Sequence, residues 1–127
     1  MSMADRPVQN AIIQGRKVSL DVMDMGMHIH MQAMKGNPVP DSYDNKQSRA
    51  IMVMIRSIKS KETLKNADVE IQIISPKGKI ITGTAPWFGD HYGQSFSPTE
   101  KGVYRIIVKV AGKEAKGAAD FKYKHEV

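Results

Sequence analysis

The sequence predicts an all-β protein, an antiparallel β-sandwich of about seven strands. Polar and apolar residues alternate over several short segments, and turn-forming residues separate these segments. No segment keeps the 3.6-residue apolar period of an amphipathic helix. The chain has 127 residues, enough for one domain of ordinary size. We therefore expect residues 1–127 to form a single sandwich domain, with residues 1–10 as a disordered tail.

A first hairpin is predicted between residues 68 and 82. Val69, Ile71 and Ile73 alternate with polar residues and therefore share one face of a strand. Pro76–Gly78 forms the turn, in which the glycine is free to take a positive φ. Lys79–Thr82 is then the returning strand.

A second hairpin is predicted at the C-terminal end. Its inward residues are Tyr104, Ile106, Val108 and Val110 in one strand, and Ala119, Phe121 and Tyr123 in the other. Tyr104 stands at the head of its strand, after the loop Ser97–Lys101. In immunoglobulin-like sandwiches such a tyrosine hydrogen-bonds back to the preceding corner. This feature favours an immunoglobulin-like sandwich.

The first half of the chain gives weaker strand signals. Arg16–Ala33 is predicted to form one long strand or two consecutive ones, and Ser48–Ile58 another. Gly36–Asn45 lies between them and contains two prolines and several turn-prone residues, so we predict a loop there. Glu62–Asn66 is predicted to be a short turn.

Val22–Met34, called the Met/His segment below, is the most unusual part of the sequence. Twelve residues of this segment, 23–34, contain five of the nine methionines and two of the four histidines. In an extended strand, one face would carry Met23, Met25, Met27, Ile29 and Met31, and the other Asp24, His28, His30, Gln32 and Met34. The methionine face is either flexible core filler, as Met52 and Met54 would also be, or a thioether site for Cu(I).

His28 and His30 project from the same face of such a strand, roughly 6.5 to 7 Å apart at the backbone. At that separation their imidazoles can converge on one metal ion. The alternative is a half-exposed polar face without a ligand. His125, near the end of the last strand, is expected to be a surface residue.

A third histidine, His91, lies in the glycine- and aromatic-rich stretch Trp87–Gly93, which we predict to be a loop. Exposed loop residues of this kind serve function more often than packing. The alternative is that Trp87, Phe88 and Tyr92 form a hydrophobic plug over one end of the sandwich.

Composition and charge argue against several function classes. The net charge is +6, but the lysines are spread along the chain, and no aromatic residue accompanies the densest basic group, Arg56–Lys65. We therefore predict a lysine-rich sheet edge and no nucleic-acid partner. The absence of cysteine excludes thiol catalysis and disulfide bonds. No phosphate-binding loop or nucleophile elbow occurs, so we expect no enzyme.

Several segments resemble one protein family. Asp90–Gly93 (Asp-His-Tyr-Gly), Gly102–Val108 and Asp120–Tyr123 resemble the periplasmic copper-binding proteins associated with high-affinity bacterial iron transport, and His28–Asn37 looks like an early strand of that family. The Gly-x-Tyr strand is also similar to the wider group of YtkA-like exported domains. The resemblance covers about half the chain, in pieces.

The resemblance implies a homodimeric, immunoglobulin-like copper protein of the periplasm, with metal sites near the subunit interface and a leader that would be absent from this sequence. It implies that His91 is a metal ligand, and it assigns His28 and His30 by position, where the family has carboxylates. The family's methionine ligand is missing from Thr84–Phe88, so the metal site is either remodelled, with Met25, Met27 or Met34 as the substitute ligand, or lost. The family's later histidine-bearing insertion is also missing, because a short turn at Gly112 replaces it.

Three functions follow as hypotheses. The first is a periplasmic protein that binds copper, Cu(I) or Cu(II), through His28, His30, His91, Met27 and Met34 and supports metal transport or homeostasis, with a membrane transporter as partner. The second is a metal-free interaction module of an exported or membrane-associated complex. The third, binding of an acidic partner, rests on net charge alone.

Overall fold

The computed structural model describes residues 9–24, 34, 36, 49–87, 89, 91–112 and 116–125. These residues contain eight strands: β1 (Gln9–Ile13), β2 (Arg16–Asp24), β3 (Arg49–Ser57), β4 (Asp68–Ile74), β5 (Ile80–Thr84), β6 (Tyr92–Phe96), β7 (Gly102–Ala111) and β8 (Lys116–His125). They form two four-stranded antiparallel sheets, ordered β1-β2-β3-β6 and β5-β4-β7-β8. Among the described residues, no helix is long and apolar enough to cross a membrane.

One hydrophobic core lies between the two sheets, which is the arrangement of a β-sandwich. The alternation seen in the sequence places it there, because every second side chain of a strand points to the same face. The inward residues of β4, β7 and β8 are buried as predicted, except that Tyr123 is only half-buried. The first sheet contributes Val18, Leu20 and Val22 from β2 and Ile51, Val53 and Ile55 from β3.

The predicted turn between β4 and β5 is confirmed. Gly78 has a φ of 91° and donates its N–H to the carbonyl of Ser75 at 2.9 Å. Ser75 in turn donates its N–H to the carbonyl of Lys79 at 2.8 Å. Pro76 suits the first central position of this turn, because its φ is already fixed near the required value.

The predicted tyrosine contact at the head of β7 is also confirmed. The Tyr104 hydroxyl donates to the Glu100 carbonyl at 3.0 Å and accepts from the Glu100 N–H at 2.9 Å. Gly102 has a φ of 132°, and a Cβ there would lie 3.0 Å from Cγ of Pro76. The Gly-x-Tyr pattern therefore has two physical causes, a backbone conformation that favours glycine and a corner closed by the tyrosine.

Two strands were not predicted from the sequence. Gln9 and Asn10, which we assigned to the N-terminal tail, belong to β1, and Tyr92 and Gly93, which we assigned to a loop, begin β6. Neither strand has a clear alternation of polar and apolar residues. Their pairing with β2 and β3, respectively, defines them.

The prediction that Met52 and Met54 fill the core is wrong. Ile51, Val53 and Ile55 take the inward positions of β3, so the intervening methionines lie on the outer face of the sheet. Met54 is exposed and Met52 is half-buried. Met23, which pairs with Ala50 on that same outer face, is nevertheless buried.

Glutamine side chains close the sandwich where β1 meets β8. The Gln9 side-chain amide donates to the Lys122 carbonyl and accepts from the Lys122 N–H, and Gln14 accepts from the Lys116 N–H at 2.8 Å. Gly117 lies against Ile13 so closely that a Cβ would come within 2.8 Å of its methyl group. The free edge of β8 is therefore partly satisfied by side chains instead of by a strand.

Candidate functional site

An aromatic cluster lies at the end of the sandwich where β2 ends and β3 begins, called the Arg49 end below. It contains Phe96, Tyr104, Tyr123 and His125, with ring centroids between 5.8 and 6.5 Å apart in the contacting pairs. Strand register brings these residues together. Phe96 pairs with Arg49 in one sheet, and Tyr104 pairs with Tyr123 in the other.

His125 belongs to this cluster, and the prediction that it is a surface residue is wrong. Only 8% of its surface is exposed. It has the same strand parity as Ala119, Phe121 and Tyr123, so β8 points it toward the core side. Its Nδ1 lies 3.5 Å from the Tyr123 hydroxyl, which accepts a hydrogen bond from Nε of Arg49 at 3.2 Å.

The surroundings of His125 disfavour its protonated form. Burial lowers the pKa of its imidazole below the usual 6.5, and repulsion from Arg49 lowers it further. A histidine of this kind stays neutral near pH 7. A neutral imidazole is the form that can bind a metal ion or accept a proton.

His91 lies away from the Arg49 end and is buried, with 3% of its surface exposed. It directly precedes Tyr92, whereas Phe96 at the far end of β6 marks the Arg49 end. Four residues of strand separate Tyr92 from Phe96 by ~14 Å. The expectation that His91 stands in an exposed loop is therefore wrong, and it lies at a different level of the sandwich from His125.

The other predicted ligands are only partly described. His28, His30 and Met27 lie outside the described residues, as do Met25, Phe88 and Asp90. Met34 is described and is 76% exposed. Within the described part of the chain, no group of three or more His, Cys, Asp or Glu side chains is arranged to hold a metal ion. These residues alone do not make a metal site.

The strand register limits how the predicted ligands can meet. Asp24 pairs with Arg49, so the Met/His segment leaves β2 at the Arg49 end. Asp24, the last described residue before His28 and His30, therefore lies at the end that holds His125, and ~14 Å of strand separates this end from Tyr92, the residue after His91.

The hydrophobic plug is supported at the two aromatic residues that the structure describes. Tyr92 is buried, and half-buried Trp87 packs against it at a centroid distance of 5.1 Å with near-perpendicular rings. The Tyr92 hydroxyl also donates to the Leu64 carbonyl and accepts from the Ala67 N–H. Tyr92 therefore anchors the β3–β4 connection.

A cleft of about 690 Å³ lies at the end of the second sheet, lined by the N-terminal ends of β4 and β8 and the C-terminal ends of β5 and β7. Its volume falls within the range of small-molecule sites. Val69, Ala85 and Val110 form an apolar floor, and Glu70 and Lys109 approach each other at 3.8 Å beside it. Neither of the described histidines, His91 and His125, lines this cleft.

Comparison with known proteins assigns the chain to no family. No protein-family model matches it, and no curated protein matches it either. The resemblance to periplasmic copper-binding proteins therefore rests on the sequence segments alone.

Proposed function

We propose that this chain is an exported, immunoglobulin-like copper-binding protein that acts in the periplasm in metal transport or homeostasis. The observation that carries the proposal is the place where β2 ends, just before the remainder of the Met/His segment. Asp24, the last residue of β2, pairs with Arg49 at the end of the sandwich that holds His125, a buried histidine with a lowered pKa.

The immunoglobulin-like assignment is supported by strand order and by the tyrosine corner. In one sheet β3 neighbours β6, and in the other β4, β7 and β8 are adjacent. These neighbours correspond to the B–E and C–F–G strands of an immunoglobulin sandwich. The Tyr104–Glu100 hydrogen bonds correspond to its tyrosine corner.

The side chains of the Met/His segment suit copper in both oxidation states. Imidazoles of His28 and His30 suit Cu(II), and thioethers of Met27 and Met34 suit Cu(I). His91 is the ligand that the family resemblance implies. The strand register favours His125 as the histidine nearest to the start of the segment. The proposal therefore has two versions, which differ in the histidine that joins His28 and His30.

Copper titration of the metal-stripped protein tests the proposal. We expect near-stoichiometric binding that a His28→Ala/His30→Ala/His91→Ala variant loses. Single His91→Ala and His125→Ala variants then decide which histidine contributes. Weak binding that the triple variant retains would exclude a dedicated site in this segment.

Matched methionine variants test the thioether role. Met27→Leu and Met34→Leu should weaken Cu(I) binding more than Cu(II) binding. Met52→Leu and Met54→Leu are the controls, because these two methionines lie on the outer face of β3, outside the Met/His segment. Equal effects of both pairs would argue against thioether ligation by the segment.

A second candidate function, a metal-free interaction module, is favoured by one observation. Edge strand β5 contains no charged residue, and its Ile80 and Ile81 are exposed. Open edges of this kind add a strand from another chain. Full function of the copper-deficient triple variant in its native complex would favour this candidate.

A further inference from the structure

The outer edge of β5 lacks the side-chain features that usually prevent pairing with another strand. Among the strands that the structure describes, β5 pairs with β4 alone and stands at the end of its sheet. Natural edge strands are usually protected by charged residues, proline or a bulge. β5 has the sequence Ile-Ile-Thr-Gly-Thr, which offers none of the side-chain protections.

The hydrogen bonds to β4 establish which backbone groups of β5 point outward. Ser75 donates to the Lys79 carbonyl at 2.8 Å, and Ala85 donates to the Val69 carbonyl at 2.8 Å. Residues that bond the neighbouring strand alternate along an antiparallel pair. Positions 79, 81, 83 and 85 therefore face β4, and the N–H and C=O groups of Ile80, Thr82 and Thr84 point outward. Within the described part of the chain, no strand pairs with this edge.

We infer that β5 pairs with β5 of a second copy of this chain, antiparallel and with Thr82 on the two-fold axis. In this register Thr82 faces the partner's Thr82, and Ile80 faces the partner's Thr84. Every outward backbone group then has a partner, which gives six N–H···O=C bonds. The second sheets of two protomers become one continuous eight-stranded sheet, and the inference does not depend on the proposed copper site.

The charge distribution permits a second copy despite the net charge of +6. β5 brings no charged residue to the two-fold axis, and Lys79 falls opposite the partner's Ala85 instead of opposite another lysine. On the outer face, Thr82 lies beside Gln72 of β4, so the central row reads Gln-Thr-Thr-Gln across the interface. Thr–Thr pairs across antiparallel strands are favourable.

The interface is small. Five residues on each side, with two half-exposed isoleucines, bury less than the roughly 1,200 Å² at which stable interfaces begin. The dimer should therefore be weak and depend on concentration. Sedimentation velocity over a range of protein concentrations, up to about 1 mM, measures its dissociation constant.

A proline at the two-fold axis tests the backbone pairing. The Thr82 N–H points away from β4 and has no strand partner among the described residues, so Thr82→Pro removes it at a position that an edge strand tolerates. We expect at least a tenfold weaker dimer, about the effect of losing 1.4 kcal/mol. Thr82→Val keeps the N–H and is the matched control. Circular dichroism of each variant confirms that it is folded.

A charge exchange tests the register. Ile80→Lys/Thr84→Lys places two lysine pairs across the interface, and Ile80→Glu/Thr84→Glu places two glutamate pairs there. Each double variant should be monomeric, and an equimolar mixture should dimerise again because each pair is then Lys–Glu. The inference is overturned if the wild-type chain stays monomeric at a protein concentration of about 1 mM, because the dissociation constant is then weaker than this assay can detect. It is equally overturned if both double variants dimerise alone, since the interface then lies elsewhere.

Discussion

Replacing Tyr92 by phenylalanine tests the tyrosine that joins β6 to the β3–β4 connection. The Tyr92 hydroxyl donates to the Leu64 carbonyl at 2.5 Å and accepts from the Ala67 N–H at 3.2 Å. Only 1% of Tyr92 is exposed, so water cannot easily replace these partners. Burial raises the pKa of Tyr92 and so keeps the hydroxyl a donor, although the hydrogen bond from Ala67 acts in the opposite direction.

The expected magnitude follows from the two hydrogen bonds. Each contributes about 0.5–1.5 kcal/mol, so Tyr92→Phe should lower the free energy of unfolding by ~1–3 kcal/mol. The ring stays, so the contact with Trp87 at 5.1 Å is kept and no cavity forms. For a chain of this length the melting temperature should fall by about 4 °C for each kcal/mol.

Urea denaturation followed by fluorescence of the single tryptophan, Trp87, measures this loss. Tyr123→Phe is the control, because the Tyr123 hydroxyl is only half-buried and accepts from Arg49; we expect a loss below about 1 kcal/mol. The midpoint should shift without a change in slope. A loss below about 0.5 kcal/mol for Tyr92→Phe would refute the reasoning, since surface substitutions produce changes of that size.

Three further predictions concern the corner, the core and the buried histidine. Gly102→Ala should cost ~1–3 kcal/mol in urea denaturation, because the φ of 132° is strained for any side chain and the Cβ would meet Pro76. Ile106→Ala, at a fully buried position, should cost ~2–5 kcal/mol in the same assay. Because the pKa of His125 is lower in the folded protein, the unfolded chain binds the proton at a higher pH than the folded protein does. The free energy of unfolding should therefore fall as the pH drops through 6.5 toward the folded pKa. His125→Phe should reduce this pH dependence in unfolding curves measured between pH 5 and 7, roughly the range in which histidine titrates.

The strands that could be predicted from sequence are those whose burial is one-sided. In β4 and β7, buried apolar residues alternate with more exposed residues, so the inward face of each strand can be identified from the sequence. β6 lacks this alternation, because its first two residues, Tyr92 and Gly93, and the preceding His91 are all buried. Its identity as a strand comes from pairing with β3, which is a tertiary contact.

The two described histidines differ in whether their burial could be predicted from the sequence. The position of His125 could have been predicted, because it continues the inward parity of Ala119, Phe121 and Tyr123; only its nearness to the chain end suggested exposure. The burial of His91 could not have been predicted, since polar and apolar residues do not alternate around it. The copper ligands stay a prediction, because His28, His30 and Met27 lie outside the described residues.

The two proposals lead to different expectations for how copper and dimerisation are related. β8, which carries His125, stands three strands away from β5 in the same sheet, ~14 Å at the usual strand spacing. Antiparallel pairing about Thr82 also turns the two Arg49 ends in opposite directions. A β5 dimer therefore has no reason to share a copper site, and copper should leave its dissociation constant unchanged. The family resemblance implies instead that metal sites lie near the subunit interface, and then copper would strengthen the dimer. Measuring dimerisation with and without copper thus separates the edge pairing inferred from this structure from the assembly implied by the resemblance.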